Sequence, residues 1–540
     1  MSLPIPLTVR LRTARADRHV TADARDLVMR WTDPGGYASC TVPLDRPLTL
    51  QPDEVAYYGQ VTVYDARDGS VAWDGRMEDP GRSARDGQVW DLTAVGGQAH
   101  TRDRTVPLFY VDDPLPSMDR VGINAPGGTD SRGEDPGGSG DDALILQFPQ
   151  GQTLATGARV AMRYRALWDA GQKLARFDYS WDAGVTDAGY TIEGLAGTGT
   201  GAAETPRTQT LSTAGGGSSP RTVVTTFANG RDMLYVRLVR TGAGVTVAND
   251  NTWVSIRSMR ATAMRYLRGG GEQTSGYAST VLASEVVADL LGRLLPDFDG
   301  TNATIAPTTY PIDQLAYPDG VTAAQVLDDL LALESGFTWR VWERTQAGGY
   351  RFEWVARPST VRYEADVADG YDSQGSADGL YNAVTVRWRD TAGRVRTTTR
   401  TAVVPDLVAA DLTRQASIDL GSDVGSLAAA QRAGDQFLAE HQAAPNAGRL
   451  RVARPILDLE TGRMVQPWEI RPGLIRVRGI LPRADELNAT SRDGVTVFRI
   501  VSSEFRASDG AATLELDSYA NTTPRLLSTL MRRMASFRRR

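Results

Sequence analysis

Hydrophobic and polar residues alternate with a period of two over much of the chain, which predicts short, half-buried β-strands. The pattern is sharpest within residues 466–479, where Ile475 and Val477 point to one side of a strand while Arg476 and Arg478 point to the other. Two further strands follow within residues 496–517 and are joined by a predicted hairpin turn. This end of the chain is therefore predicted to form a small sheet.

The N-terminal part carries a matching set of strand and turn signals. Its predicted strands are 7–11, 27–32, 57–64, 71–73 and 89–94. Cys40 is expected beside an edge strand of this set. Dense turns between short strands favour a barrel or sandwich. We therefore predict two small β-barrels, at 1–115 and 359–523, and such a pair is more typical of a scaffold than of an enzyme pocket.

The residues between the two predicted barrels divide into three parts. Residues 116–142 are rich in Gly, Asp and Pro and are predicted to be a linker. Residues 143–268 combine aromatic-rich strands with Gly-rich loops, which favours an inserted, jelly-roll-like β-sandwich. The fold class is thus mainly β with one α+β module, at 269–358.

Helical periodicity marks the α+β module. Apolar residues recur every three or four positions from Leu282 to Leu294, and Pro296 ends this helix. A second helix begins at Thr322, where Gln325 completes a capping box, and a hairpin over 337–355 follows. A further helix is predicted at 426–441, and residues 524–540 form a basic C-terminal segment.

The composition limits the kinds of chemical site that the chain can form. The chain has 540 residues, 41% of them hydrophobic, and its mean hydropathy of −0.30 fits several well-folded domains. One cysteine and three scattered histidines argue against a disulfide framework or a zinc site, so neither a metal nor a cofactor is expected. The N-terminus lacks the features of a signal peptide, and the single cysteine fits synthesis in a reducing compartment such as the cytoplasm.

Charge and motifs argue against a specific nucleic-acid binder and against an enzyme. The net charge is −6, and a single lysine, Lys173, lies outside any phosphate-binding motif. The carboxylate pairs Asp328/Asp329 and Glu285/Asp289 are expected on solvated helix faces. No catalytic residue is therefore predicted.

Two groups of residues are candidates for binding. Flat aromatic rings in the insert can stack on sugars, although aromatic residues in a sandwich more often form its core. These candidates are Trp168, Tyr179, Trp181, Tyr190 and Trp253. One side of the C-terminal segment is apolar and fits docking onto a partner, a membrane-surface helix or a frayed tail, and its arginines leave contact with DNA as a further alternative. Its apolar residues are Leu526, Leu527, Leu530, Met531 and Met534.

The order of these parts resembles the siphophage baseplate hubs, the tail-associated "minor tail proteins" of actinobacteriophages. The resemblance rests on residues 57–96, 320–330 and 380–384 and on the strand set from 470 to 516. It covers about 1–115 and 270–520, and the insert departs from the family pattern.

The resemblance implies a structural virion protein at the tail tip. In that family a homotrimer presents six tube-like barrels, which adapt the sixfold tail tube to threefold tip proteins and help form the channel for DNA delivery. Implied partners are the distal tail protein, the tape measure protein and other tail-tip proteins. The alternatives are a host-recognition protein whose insert binds cell-wall glycan, a cell-wall enzyme, and a hub of a related contractile injection system.

Overall fold

The computed structural model describes most of the chain. The described residues are 5–44, 55, 57–83, 89–112, 119–123, 129–134, 142–148, 150–165, 174–184, 189–198, 202–203, 207–211, 221–231, 233–247, 253–263, 266–267, 271–272, 280–334, 336–367, 370–375, 380–389, 395–420, 426–441, 446–479 and 495–518. Within them the protein is mainly β. No helix among these residues has the length and apolar character needed to cross a membrane.

The N-terminal segment forms seven strands. They are β1 Leu7–Arg12, β2 Asp17–His19, β3 Val28–Thr32, β4 Gly35–Pro43, β5 Gln60–Asp65, β6 Val71–Ser83 and β7 Val89–Gly96. In β1 the odd-numbered positions are buried and the even-numbered ones face outward, as the alternation predicts. Cys40 lies in β4 between β3 and β7, so the expectation that it borders an edge strand is wrong.

The described residues in the middle of the chain form two large sheets and two short two-stranded ones. Its strands are β8 Thr105–Asp112, β9 Asp119–Ile123, β10 Thr129–Glu134, β11 Asp142–Gln147, β12 Thr153–Leu154, β13 Arg159–Arg165, β14 Leu174–Gly184, β15 Tyr190–Thr198, β16 Ala202–Ala203, β17 Arg207–Leu211, β18 Arg221–Arg231, β19 Met233–Arg240, β20 Val245–Thr246, β21 Trp253–Ala263, β22 Tyr266–Leu267 and β23 Gly271–Glu272. One sheet contains β10, β11, β21, β14 and β18, and the other contains β16, β15, β19, β13 and β9. Strands β9 and β10 lie within the predicted linker and pair with the insert.

The α+β part follows. It comprises helix α1 Ala283–Asp289, a π-helical turn Leu290–Leu294, strands β24 Thr304–Ile305 and β25 Leu315–Thr322, helix α2 Ala323–Leu333, and strands β26 Phe337–Arg344 and β27 Tyr350–Ala356. Thr322 caps α2 by accepting a hydrogen bond from the Gln325 backbone at 3.3 Å. The hairpin β26–β27 joins the N-terminal sheet through β4, while β25 pairs with β8.

The C-terminal segment contains the remaining elements. They are β28 Val361–Asp366, β29 Tyr371–Gly375, β30 Ala383–Arg389, β31 Val395–Thr401, α3 Pro405–Ala409, β32 Gln415–Asp419, α4 Leu427–Glu440, β33 Asn446–Val452, β34 Ile456–Asp458, β35 Arg463–Val465, β36 Leu474–Arg478, β37 Val495–Arg506 and β38 Ala511–Ser518. Ser426 caps α4 through the Ala429 backbone at 3.1 Å. The alternation in β36 places Ile475 and Val477 in the core.

Two sets of six strands repeat the same order. The first unit is β1, β3, β4, β5, β6 and β7, and its spatial order is β1-β5-β6-β7-β4-β3. The second unit is β28, β29, β33, β36, β37 and β38, and its order is β28-β36-β37-β38-β33-β29. Counted along the chain, both orders read first, fourth, fifth, sixth, third, second. The units differ at one pairing, because β1–β5 is antiparallel and β28–β36 is parallel.

The two units share one sheet and one core. Strand β3 pairs antiparallel with β37, which joins the units although about 470 residues separate the strands in sequence. A single cluster of buried side chains includes Val9, Val63 and Trp73 from the first unit and Phe498 and Leu514 from the second. Burial of this shared apolar surface stabilises the two units as one body.

Candidate functional site at the seam between the two units

The seam is the contact between the two units, in which β3 with its flanking residues, Tyr37 of β4 and Asp65 of β5 lie against β37 and residues 467–471. Along it, the Asp33 amide donates to the Val501 carbonyl and the Ala507 amide donates to the Leu27 carbonyl, each at 2.8 Å. One edge of β37 is shared, because Val495–Arg499 pair with β36 and Ser502–Arg506 pair with β3. Strand β37 therefore pairs along the same edge with β36 of its own unit and with β3 of the first unit.

Two buried tryptophans form hydrogen bonds across the seam in opposite directions. The Trp31 indole of the first unit donates to the Ile470 carbonyl at 2.8 Å. The Trp468 indole of the second unit donates to the Asp65 carboxylate at 2.9 Å. Each indole places a large apolar ring in the core and its single donor on the other unit, which fixes how the units face each other.

Asp65 is a buried carboxylate with several donors. The Arg67 side chain and backbone donate to it at 2.9 Å, in addition to Trp468. Burial alone would raise its pKa, but the hydrogen bonds from Arg67 and Trp468 hold the pKa of Asp65 at about 2. Asp65 is therefore charged at neutral pH, and its bond to Trp468 is charge-assisted.

Arg471 extends the seam to the hairpin of the α+β part. Its guanidinium donates to the Tyr37 hydroxyl at 2.9 Å and lies 5.3 Å and 5.5 Å from the ring centres of Tyr37 and Trp342. Such cation–π contacts strengthen when water is excluded. Burial raises the pKa of Tyr37, so this hydroxyl stays neutral and available as an acceptor.

A buried charged cluster lies at the corner of the loop before β4. Asp33 accepts from Arg340 at 3.0 Å and from Thr338 at 2.6 Å, and these partners keep its pKa low although burial opposes the charge. Arg499 is also buried. Burial first, and then the charge of Arg357, lower its pKa to about 10. Asp33, Arg340 and Arg499 link the loop before β4, the hairpin and β37. None of the three is placed to activate a nucleophile.

The aromatic candidates of the insert fall partly outside the described structure. Trp168 lies outside the described residues, and only the backbones of Tyr179, Trp181 and Trp253 are described, within β14 and β21. Tyr190 is fully buried, with its ring centre 6.1 Å from that of Phe148 and 4.7 Å from the Arg240 guanidinium. The Tyr190 side chain therefore packs within the protein, because protein groups surround its ring.

The docking candidates of the C-terminal segment all lie outside the described residues. These are Leu526, Leu527, Leu530, Met531 and Met534.

One residue of the predicted carboxylate pairs, Asp289, differs from expectation. Asp289 is buried and accepts a hydrogen bond from the Tyr110 hydroxyl, so its predicted solvated position is wrong. Asp329 accepts from Tyr317 at 2.6 Å and from Gln325 at 2.7 Å. Within the described ranges, no group of three or more His, Cys, Asp and Glu side chains is arranged to hold a metal ion.

The sequence alone did not identify the seam residues as partners. Trp468 and Asp65 are 403 positions apart, and Trp31 and Ile470 are 439 apart. The available signal was the unusual stretch around Trp468, in which prolines interrupt an alternating pattern. It marks an irregular, buried segment without naming what the segment contacts.

The sequence matches no family model and no curated protein. Several solved structures align with this chain over most of its length. A tail protein from Neisseria meningitidis is 10% identical, with a TM-score of 0.44 over 96% of this chain and 98% of that one. The 43 kDa tail protein of prophage MuSo2 from Shewanella oneidensis is 9% identical, with a TM-score of 0.43 over 94% and 98%. A prophage tail protein from Listeria monocytogenes is 8% identical, with a TM-score of 0.41 over 98% of both chains.

Proposed function

We propose that this chain is a structural virion protein of a phage tail, a trimeric baseplate hub at the tail tip. The observation that carries the proposal is the repeated strand order of the first and second units within one curled sheet. A chain with two similar units can present six of them from three copies. Such a trimer would match a sixfold tube on one side and threefold tip proteins on the other.

The seam supports this geometry. A ring with six similar positions needs a fixed angle between the two units of each chain. The indole bonds of Trp31 and Trp468, the pairing of β3 with β37 and the shared core fix that angle before assembly. In the assembled ring each unit would act as one tube-like barrel, and the inner faces together would form a channel for DNA.

The other parts would surround this ring. Residues 143–268 would form a jelly-roll-like sandwich on its outside, and residues 269–358 an α+β module between the barrels. The distal tail protein and the tape measure protein would bind the ring. The C-terminal residues Leu526, Leu527, Leu530, Met531 and Met534 would dock onto a further tail-tip protein.

The test is the symmetry of the assembled particle. The purified chain is mixed with its tail-tip neighbours, weighed by mass photometry and imaged by cryo-EM. A threefold particle with six inner barrel densities is the expected result. A chain that stays monomeric with those neighbours present would refute the hub.

Host recognition by the insert is the alternative proposal. If the insert binds cell-wall glycan by stacking, the contact would use Trp168, Tyr179, Trp181 or Trp253, since Tyr190 is packed within the protein. The full chain and its Trp168→Ala, Tyr179→Ala, Trp181→Ala and Trp253→Ala variants are compared in pull-downs on host cell wall, with Tyr190→Phe as the control. Binding that all variants retain equally would contradict the stacking hypothesis.

A further inference from the structure

A separate three-stranded sheet in the C-terminal segment has two edges. Its order is β31-β30-β32, and among the described residues β31 and β32 each pair with β30 alone. Helix α4 covers one face, where Val384, Val386 and Ile418 pack against Phe437 and Leu438. Neither edge pairs with a further strand among the described residues.

The edge strand β31 lacks the usual features that block pairing. Its seven residues contain four threonines and a valine, which favour extended backbone, and no proline or lysine; its charged residues are Arg396 and Arg400. Its register with β30 runs from Val395 to Thr401 without a bulge. Arg400 is held by Asp435 of α4 at 2.6 Å, on the covered face. An exposed, regular edge of this length can accept another strand.

The two edge strands run in opposite directions, and their residues lie at matching positions along the sheet. Strand β31 is antiparallel to β30, whereas β32 is parallel to it. When two copies of this sheet lie side by side, β31 of one runs antiparallel to β32 of the other. Thr399 and Ser417 both lie opposite Thr385, so they are at the same level across such a contact. Because the contact uses different edges of each copy, it can repeat and close into a ring.

Exposed apolar residues lie at the same end of both edges. Val403 follows β31 and is 79% exposed, and Leu412 precedes β32 and is 54% exposed. Asn382 ties both segments together, since its carbonyl accepts from the Ala402 amide and its side chain donates to the Leu412 carbonyl, each at 2.9 Å. Side-by-side copies would therefore bring Leu412 of one copy to Val403 of the next.

We propose that β31 of one copy pairs with β32 of a second copy of this chain, and that Val403 packs against Leu412 across this contact. The occupant of each edge is thus the opposite edge of a neighbouring copy. This inference rests on the proposed ring and adds a specific contact to it.

Disulfide trapping tests the contact in the full chain assembled with its tail-tip neighbours. Ser417→Cys is combined in turn with Thr397→Cys, Thr399→Cys and Thr401→Cys, which scans the register on one face of β31. Cys40 is fully buried, so it does not compete. After mild oxidation, we expect one of the three double variants to give covalent trimers, and the single variants to give none.

The outcomes separate this contact from the ring itself. A threefold particle in which none of the double variants cross-links would overturn the strand pairing and leave the hub proposal standing. Covalent dimers from a single variant would also overturn it, because they indicate a symmetric contact of like edges. Absence of any ring would refute the hub and this contact together.

A second measurement does not depend on register. Leu412→Asp and Val403→Asp place a charge in the proposed contact at exposed positions, and Met464→Asp adds the same charge at another exposed residue, 56% accessible. We expect the first two to weaken ring formation by about tenfold or more, as for a central contact residue. Equal effects from all three variants would contradict the contact, and circular dichroism checks that each variant is folded.

Discussion

Replacement of Trp468 by phenylalanine probes the seam most directly. Trp468→Phe keeps an aromatic ring in the core and removes the donor that binds Asp65 across the units. Trp31→Phe is the matched control, because it removes the same kind of donor from the same seam but from a neutral carbonyl acceptor.

The two acceptors set the expected magnitudes. A hydrogen bond to a charged group contributes about 1.5–3 kcal/mol, whereas a neutral one contributes about 0.5–1.5 kcal/mol. Each variant also leaves a small void of similar size, so this cost cancels in the comparison. We therefore expect Trp468→Phe to destabilise the seam by about 1–2 kcal/mol more than Trp31→Phe does.

Hydrogen exchange measured by mass spectrometry is suited to this comparison. A chain of this length with several sheets is not expected to unfold in one step, whereas exchange reports local opening of individual strands. Peptides that cover β5 and β36 report on the two sides of the Asp65–Trp468 bond. A difference of about 1.4 kcal/mol corresponds to about tenfold faster exchange, and this is the excess we expect for Trp468→Phe.

The difference should depend on pH. The pKa of Asp65 is about 2 in the folded protein, below its ordinary 3.8. Its charge therefore stabilises the fold fully above its ordinary pKa, and this contribution is lost as the pH falls from about 4 to about 2. We expect the excess cost of Trp468→Phe to shrink over that range, while the cost of Trp31→Phe stays constant. Equal costs for the two variants, or an excess that does not change with pH, would refute the reasoning.

Three further predictions test the fold. Gly75→Ala should destabilise the first unit severely in thermal unfolding, because the added Cβ would lie 2.1 Å from a carbonyl oxygen of β7. Gly292→Ala is the control: its Cβ meets nothing within 4 Å, so this variant should be neutral or slightly stabilising. Arg340→Ala should cost about 3–5 kcal/mol in local opening of the hairpin, since it leaves Asp33 buried without its charged partner; Arg340→Lys, which restores the charge, should recover part of this loss. Thr322→Ala should cost about 1 kcal/mol, seen as faster exchange in the first turn of α2, and Thr322→Ser should exchange like the wild type.

Local structure could be predicted where the determining contacts are close in sequence. The alternation around Ile475 and Val477 predicted β36, and the capping residues Thr322 and Ser426 predicted the starts of α2 and α4. Each depends on neighbours within four residues. Strand β4 was missed, because the glycines at its start indicate a turn and its pattern is irregular.

The contacts between residues at the seam could not be predicted from local patterns. An alternating pattern states which face of a strand is buried, but it does not name the strand that lies beside it. Asp289 illustrates the same limit for helices: its sequence context indicates an outer face, yet Tyr110 from a distant strand covers it. A residue's partner depends on elements that are far away in the chain.

Local residue patterns and composition are enough to predict a mainly β chain with matching strand patterns near its two ends, two capped helices and no internal disulfide. Only the folded chain shows that β3 pairs with β37, that Trp31 and Trp468 form hydrogen bonds across one seam, and that both six-stranded units share a core. The physical reason is that backbone propensity and side-chain periodicity act over a few residues, whereas strand pairing is selected by the burial of apolar surface over the whole chain.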